Sequence, residues 1–241
     1  MKESIADKIL ESVHDGYNTI AAEFGATRDR IWWPEIEPFI RRIRNGDRVL
    51  DLGCGSGRAL RLFVDLAVDY EGLDVSEGLI ARARKEYPDP LVNFRVGSML
   101  TLPYEDGSFD AVLAIASLHH IPSVRYRLQA MGEIRRVLKP GGWLLMTNWD
   151  LWRIDRRLRF VARNIILKAI GRSDLDWTDV MMPWTRSGQV RANRFYHAFT
   201  LGELSRLCRQ TGFDVVENRR SGERRRQGDG NLVTVGRKPV I

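Results

Sequence analysis

The residues Val49-Leu50-Asp51-Leu52-Gly53-Cys54-Gly55-Ser56-Gly57-Arg58 decide how this chain folds. An apolar, strand-like segment closes with an acidic residue, breaks into alternating glycines and continues with leucine and phenylalanine at helical spacing. Glycine lets the backbone turn tightly and approach a ligand closely. A strand, a glycine turn and a helix start are typical of the nucleotide-binding corner of open α/β sheets. The stretch predicts a small-molecule site built from main chain; the alternative is an ordinary strand-to-helix turn.

The spacing of these glycines excludes a dinucleotide fingerprint. That fingerprint reads Gly-x-Gly-x-x-Gly. Its last position falls on Arg58 when counted from Gly53, and on Leu60 when counted from Gly55. The ligand must therefore differ from a dinucleotide.

The run from Asp51 to Gly57 resembles the first motif of class I S-adenosylmethionine-dependent methyltransferases. The resemblance implies S-adenosylmethionine as the cofactor. We expect backbone around Gly53 and Gly55 to hold its amino-acid end, and Asp51 to place negative charge near its cationic centre. Gly57 is also expected in the cofactor-binding turn.

Further cofactor contacts are expected where later strands end. Asp74, with Val75 after it, closes a second apolar run, where an acidic side chain accepts the ribose hydroxyls in doubly wound folds. Ser98 stands where many class I enzymes carry an acidic residue for the adenine amino group, so its hydroxyl or backbone must make that contact. Met99 and Ala116 complete the predicted cofactor site.

The bulk properties favour one soluble domain with a polyanionic partner. At 241 residues the chain suits one α/β domain with additions. A formal net charge of +7 suggests a polyanion, although a basic balance also serves solubility. Cys54 and Cys208 form neither a disulfide framework nor a metal cluster, so we predict reduced thiols and no metal. The acidic N-terminus does not resemble a signal peptide and no apolar run could span a bilayer, which predicts a cytoplasmic protein without membrane contact.

Alternating strand and helix patterns predict the fold. The alternation favours a mostly parallel sheet with helices on both faces. The resemblance to class I methyltransferases implies their Rossmann-like fold, with seven strands and an antiparallel final strand. One or two amphipathic helices precede the core, a helix covers 36–43, and residues 176–184 look irregular. The expected core elements are strand 48–52, helix 57–67, strand 70–74, helix 77–87, strands 91–96 and 109–115, helix 123–138, strand 142–148, helix 200–211, and strands 213–218 and 231–237.

Four segments follow from this pattern. They are an N-terminal helical cap (1–44), the cofactor-binding core (45–148), a basic insert over the active site (149–195), and a C-terminal helix and strand pair that completes the core (196–241). Arginines decorate a helix in the insert, and an arginine-rich hairpin spans 219–230.

His119 and His120 follow the fourth strand, at the edge where open sheets bind ligands. The pair could bind substrate or act as a base; the plainer reading is a helix cap or a solvated loop. Metal binding is disfavoured because no third ligand with suitable spacing lies nearby.

Several motifs outside the core resemble the enzymes that methylate the carboxylate of carboxymethyluridine at the tRNA wobble position. The resemblance covers nearly the whole chain, except for the basic helix 153–168 and for Leu232, where an aromatic residue is common. The matching segments are 17–28, 115–120, Asp179-Val180-Met181-Met182-Pro183-Trp184, Arg194-Phe195-Tyr196-His197 with Gly202-Glu203-Leu204 and Cys208-Arg209, and Asn231.

The resemblance implies formation of the wobble methyl ester. A carboxylate is already ionised near neutral pH and needs positioning rather than a general base. Arg28, His120 and Arg194 suit an acceptor pocket, since arginine recognises carboxylates in a bidentate manner. Tyr17 could close the pocket over the cofactor. The alternatives are a surface salt bridge for Arg28 and a phosphate contact for Arg194.

The expected partners are the anticodon region of tRNA and a small zinc-binding activator protein of the kind the family uses. The basic insert would contact phosphates, and Trp177, Trp184 or Phe195 could stack an unpaired base. Two other functions stay open: a methyltransferase for a quinone, lipid or metabolite, and a non-catalytic cofactor-binding scaffold.

Overall fold

The computed structural model describes residues 1–26, 34–89, 91–153, 155–221 and 230–240. Nine strands lie in these parts of the chain. They are β1 (Arg48–Leu52), β2 (Asp69–Asp74), β3 (Val92–Val96), β4 (Phe109–Ile115), β5 (Leu138–Trp149), β6 (Asp179–Arg186), β7 (Gln189–His197), β8 (Asp214–Arg220) and β9 (Asn231–Arg237).

Seven of these strands form one sheet in the order β3-β2-β1-β4-β5-β9-β8. Neighbours are parallel except at β9, which runs antiparallel to both β5 and β8. The predicted mostly parallel seven-stranded sheet with an antiparallel final strand is confirmed. The order reverses between β1 and β4, so the carboxyl ends of these strands flank a crevice where open sheets bind ligands.

Helices cover both faces of the sheet. The helices of the described ranges are α1 (Glu3–Ala26), α2 (Glu37–Ile40), α3 (Glu77–Glu86), α4 (Val124–Val137), α5 (Asp155–Ala169) and α6 (Leu201–Gln210), with short 3-10 helices at Arg58–Phe63 and Leu118–His120. Strand side chains alternate between the faces. Leu50 and Val112 pack towards α4 and α6, whereas Val49 and Leu113 pack towards α2 and α3. Burial on both faces explains why the central strands are almost continuously apolar.

Helix α1 ties the N-terminal segment to the core. It packs against β7 and α3. The side chain of Asn18 accepts hydrogen bonds from Ser76 Oγ at 2.7 Å and from the Gly78 amide at 3.2 Å, and so joins α1 to the start of α3. The N-terminal pattern thus forms one helix over 3–26. No helix of the described ranges is both long and apolar enough to cross a membrane.

The segment expected to be irregular forms a strand instead. β6 pairs with β7 in a separate two-stranded sheet, closed by a two-residue turn at Ser187 and Gly188 with positive φ at both. Pro183 lies within β6, although proline cannot donate to a ladder and is disfavoured inside most strands. Proline is tolerated here because a two-stranded sheet consists only of edges. β7 extends to His197, so the segment boundary expected at 195 falls inside it.

Other differences are local. The helix expected over 57–67 is a 3-10 helix, and the helix expected over 36–43 shortens to α2. Between β8 and β9, residues 222–229 of the expected arginine-rich hairpin lie outside the described residues.

Burial on α4 generates a stability prediction. Ile134 is fully buried in the core, whereas Val124, on the same helix, is 56% exposed. Ile134→Ala should lower the free energy of unfolding by about 2–5 kcal/mol through lost contacts and a cavity. Val124→Ala should change it by less than about 0.5 kcal/mol. Urea denaturation measures both, and equal losses would contradict the assigned core.

Candidate active site

A cavity of about 190 Å³ lies at the carboxyl ends of the parallel strands, beneath α1. Its wall combines the turn after β1, the end of β2, the turns after β3 and β4, and side chains from α1 and β7. The lining residues that carry the argument are Tyr17, Gly53, Gly55, Asp74, Val75, Ser98, Met99, Ala116, His120, Trp149 and Arg194.

The turn after β1 supplies backbone to this cavity. Gly53 has φ +71° and Gly55 has φ +57°, in the left-handed region that favours glycine. A Cβ on Gly53 would lie 2.5 Å from Ser117 Cβ, closer than atoms can pack. The Gly53 amide donates to Leu73 O at 2.7 Å, which joins the turn to β2. Only glycine allows this approach of backbone to the cavity.

Asp74 stands at the end of β2 in the cavity wall. Its carboxylate accepts hydrogen bonds from the amides of Gly55 and Ser76, each at 2.9 Å. Burial raises its pKa, and these hydrogen bonds offset only part of the rise. A buried acceptor at this position suits the predicted contact with ribose hydroxyls, and Val75 lies beside it in the wall.

Asp51 and Gly57 lie outside the cavity wall. The Asp51 carboxylate accepts a hydrogen bond of 2.6 Å from the Tyr70 hydroxyl within the core. A Cβ on Gly57 would come within 2.6 Å of the Phe94 ring, so this glycine permits close packing of the turn on β3. Direct cofactor contacts by these two residues stay predictions.

The turns after β3 and β4 complete the cofactor side. Ser98 Oγ accepts from the Leu100 amide at 3.2 Å, so its hydroxyl proton can point elsewhere. Ala116 has a positive φ of 52°, and its amide donates to Thr147 O at 2.9 Å, which turns the chain along the cavity. Met99 is almost fully buried in the wall.

His120 joins three elements around the cavity. Its Nδ1 lies 2.7 Å from Phe195 O, and its Nε2 lies 2.7 Å from the Tyr17 hydroxyl. A carbonyl only accepts, so Nδ1 carries the proton, and in the neutral ring the Tyr17 hydroxyl donates to Nε2. His120 thereby orients Tyr17 at the cavity. The arrangement disfavours a role as a freely available base.

Arg194 brings a buried cation to the same cavity. Only 6% of the residue is exposed. Its guanidinium carbon lies 5.3 Å from the ring centre of Tyr196, 5.9 Å from Trp149 and 6.0 Å from Tyr17. Its Nε is buried without a hydrogen-bond partner, and its side chain makes no ion pair with any residue in the ranges that the structure describes. The geometry leaves an anion-binding group facing the cavity.

The remaining predicted residues differ in whether the structure describes them and in how exposed they are. Arg28 lies outside the described residues. Phe195 is fully buried against α1, so the prediction that it could stack a base is wrong. Trp177 is 54% exposed and Trp184 is partly exposed.

The sequence analysis missed Trp149, whose ring stacks on Tyr196 at 5.0 Å between ring centres. Its position at the end of β5 was the available signal.

Known proteins resemble this chain in sequence and fold. A family model described as a methyltransferase domain matches residues 50–146. An Encephalitozoon cuniculi protein named as a methyltransferase is 33% identical over 206 residues, which cover 86% of this chain and 89% of that protein. The chain belongs to the class I S-adenosylmethionine-dependent methyltransferases.

Further comparisons give another relative in sequence and two neighbours in fold. An Arabidopsis thaliana tRNA (carboxymethyluridine(34)-5-O)-methyltransferase is 36% identical to this chain over 191 residues. These residues cover 79% of this chain but only 44% of the Arabidopsis protein. A Methanosarcina mazei S-adenosylmethionine-dependent methyltransferase shares the fold, with a TM-score of 0.72, 23% identity and coverage of 88% and 100%. A Haloferax volcanii methyltransferase in complex with the activator Trm112 has a TM-score of 0.68, 23% identity and coverage of 95% and 98%.

The cofactor is S-adenosylmethionine, and the residues fit it. The left-handed turn brings backbone to the cavity where a side chain would not fit, and Asp74 supplies a buried acceptor beside it. Among the described residues, no group of three or more His, Cys, Asp or Glu side chains could hold a metal.

The glycine geometry predicts the effect of an added methyl group on cofactor binding. Gly53→Ala should weaken S-adenosylhomocysteine binding at least about tenfold, a loss of roughly 1.4 kcal/mol, because the new Cβ meets Ser117. Gly46→Ala is the control, since Gly46 has a φ of +84° but open space around its Cβ. It should carry the same backbone strain and bind normally. Calorimetry on both variants decides, and normal binding by Gly53→Ala would contradict the site.

The environment of Asp51 predicts a pH effect on stability. Burial raises its pKa to about 7, against the opposing hydrogen bond from Tyr70. Between the ordinary carboxyl pKa and a pH of about 7, the folded state therefore binds more protons than the unfolded state. The contribution of Asp51 to the free energy of unfolding falls as pH rises through this range. Without ligand, Asp51→Asn should gain stability relative to wild type as pH rises.

Thermal melts across this pH range provide the measurement. Asp214→Asn, which removes an exposed carboxylate, serves as the control and should run parallel to wild type. A constant difference between Asp51→Asn and wild type would refute the burial argument.

Proposed function

We propose that this methyltransferase esterifies the carboxylate of carboxymethyluridine at the wobble position of tRNA. The supporting observation is Arg194, a buried guanidinium without a carboxylate partner in the described chain, beside the cofactor site. Leaving such a charge unpaired costs several kcal/mol, on the order expected for a buried ion. A substrate carboxylate would supply the missing anion. Arginine also offers two parallel donors that match a carboxylate.

The surrounding residues suit transfer to an oxygen that is already ionised. When bound, S-adenosylmethionine supplies an electrophilic methyl group on a sulfonium. Arg194 would hold one acceptor carboxylate, and the rings of Tyr17, Trp149 and Tyr196 would exclude water around it. His120 would keep Tyr17 in place through the 2.7 Å hydrogen bond. Since no proton must leave the acceptor, the absence of a free base at His120 agrees with this reaction.

The relatives and the charge support an RNA acceptor. The Arabidopsis relative carries this activity in its name, although the chain spans less than half of that protein's length. The chain has a formal net charge of +7, and Arg159 and Arg163 of α5 are exposed to solvent. Basic surfaces of this kind bind phosphates with an affinity that falls as salt rises. We therefore propose that the anticodon region of tRNA binds on the side of the molecule that carries α5. We also propose that the protein acts in the cytoplasm.

A small zinc-binding activator is part of the proposal. The Haloferax neighbour was solved in complex with Trm112. In this chain, β3 forms one edge of the large sheet. Leu91, just before β3, and Val96, its last residue, are apolar side chains that are 75% and 40% exposed. An open edge strand with apolar flanks is a suitable surface for strand pairing.

The direct test incubates the protein with labelled S-adenosylmethionine and a tRNA carrying carboxymethyluridine, with and without an activator subunit. Base-labile label in the wobble nucleoside supports the proposal. Label in quinones, lipids or other metabolites but never in RNA would favour the small-molecule alternative. No transfer to any acceptor would favour the scaffold.

Arg194 gives the sharpest mutational prediction. Arg194→Lys should lower kcat/KM for the tRNA acceptor by about 10- to 100-fold, the cost of roughly 1.5–3 kcal/mol of charged hydrogen bonding. S-adenosylhomocysteine affinity should stay near wild type.

Arg191→Lys is the matched control on the same strand, because Arg191 is 48% exposed and pairs with Glu23 at 3.8 Å. Steady-state kinetics measures both variants. Equal behaviour of the two variants would remove Arg194 from the acceptor site.

A further inference from the structure

Three motifs that the proposed chemistry does not use meet at one buried imidazole. His197 Nδ1 lies 2.6 Å from Asp179 Oδ1, and His197 Nε2 lies 2.8 Å from Glu203 Oε1. Asp179 begins β6, His197 ends β7 and Glu203 is in the first turn of α6. His197 is 3% exposed and Asp179 is fully buried. We call these three residues the His197 clamp.

Both ring nitrogens of His197 face carboxylate oxygens, which only accept. The imidazole therefore matches its partners when both nitrogens carry protons, as a cation. Burial lowers the pKa of His197, but the hydrogen bonds to Asp179 and Glu203 outweigh it and raise the pKa overall. For the Glu203 carboxyl, burial raises the pKa. The hydrogen bond and charge of His197 and the charge of Arg127 outweigh this, so the pKa of Glu203 is lowered overall.

The clamp is packed against other charged groups. Arg127 of α4 is 2% exposed and lies 3.8 Å from Glu203. The Asp176 amide donates to Asp179 Oδ2 at 3.1 Å, and the Asp176 carboxylate accepts from the N-terminal amine at 2.6 Å. The ionisable residues around the adjacent cavity, besides the clamp, are Met1, Glu3, Arg125, Tyr126, Arg127 and Asp176.

The clamp acts on the strand that carries the acceptor arginine. Arg194 lies three residues before His197 on β7, and Phe195 between them accepts the hydrogen bond from His120. Among the strands that the structure describes, β7 pairs with β6 alone, in a two-stranded sheet. Such a short sheet is marginal by itself and needs external anchors. His197 joins its end to the core through α6.

We propose that His197 is a positioning residue, which as a cation between Asp179 and Glu203 fixes β7 so that Arg194 meets the acceptor carboxylate. This inference rests on the proposed function for its kinetic consequence. The hydrogen-bond geometry of the clamp is independent of the acceptor. The clamp is complete below the ordinary histidine pKa and is lost as pH rises through the raised pKa of His197.

The kinetic test compares His197→Gln and the milder Glu203→Gln with wild type. We expect acceptor KM to rise about tenfold in His197→Gln, with kcat within about twofold. S-adenosylhomocysteine affinity should not change. Wild-type acceptor KM should increase at alkaline pH, whereas that of His197→Gln should be high and nearly independent of pH.

Val180→Ala is the matched control, because Val180 is buried next to Asp179 on β6 but carries no charge. It should lower stability without changing acceptor KM. A KM increase in Val180→Ala as large as that in His197→Gln would reduce the clamp to a structural role. Unchanged KM in both glutamine variants would overturn the proposal.

An acceptor-independent measurement separates this inference from the proposed function. NMR of ¹⁵N-labelled histidine should show His197 protonated at both nitrogens above the ordinary histidine pKa. In a second sample labelled with ¹⁵N-arginine, the Arg194 side-chain signal, assigned with Arg194→Lys, should shift in His197→Gln but not in Val180→Ala. If the wild-type protein methylates no tRNA, the proposed function fails. The NMR spectra still test whether His197 is protonated and whether it positions Arg194. A neutral His197 at pH 6, or an unmoved Arg194 signal, would overturn the clamp.

Discussion

A buried guanidinium needs an anion, and this requirement organises the catalytic end of the molecule. Arg194 is almost fully buried among Tyr17, Trp149 and Tyr196, and its side chain makes no ion pair within the described chain. Taking a charge out of water costs several kcal/mol, of the order that only a close counter-ion returns. The aromatic rings offset part of this cost through cation–π attraction. An anionic ligand would offset the rest, and we therefore propose that Arg194 binds an anion where it lines the cavity.

The rest of the fold holds two sites at one edge. Parallel strands end in the crevice where the sheet order reverses, and the left-handed turn after β1 exposes main chain there. Asp74 accepts a hydrogen bond from the Gly55 amide of this turn and lies beside it in the cavity wall. The hairpin β6–β7 then carries Arg194 over this crevice, and α1 closes it with Tyr17. In the proposed function, the sheet would hold the cofactor, whereas the added hairpin and α1 would hold the acceptor.

Sequence predicted the cofactor half better than the acceptor half, for physical reasons. The glycine turn and the apolar strands are local signals, since left-handed backbone and two-sided burial each constrain residue type directly. The β6–β7 hairpin was missed because its stability comes from pairing and from the buried His197 clamp, neither of which is visible in local periodicity. Asp51 is a residue that the sequence leaves open: its carboxylate accepts a hydrogen bond from Tyr70 in the core and lies outside the cavity wall, so its cofactor contact stays a prediction. Arg194 was chosen by resemblance. The structure then showed that it lines the cavity, that it is buried and that its Nε has no hydrogen-bond partner.

The assignment of Arg194 to an acceptor carboxylate is tested most directly by binding, without turnover. An anticodon stem-loop carrying 5-carboxymethyluridine and one carrying the neutral amide analogue would be titrated against the protein loaded with S-adenosylhomocysteine. The acid should bind at least about tenfold more tightly than the amide, a difference of roughly 1.4 kcal/mol, because only the acid pairs with the buried guanidinium. Equal affinities for the two stem-loops would contradict the assignment.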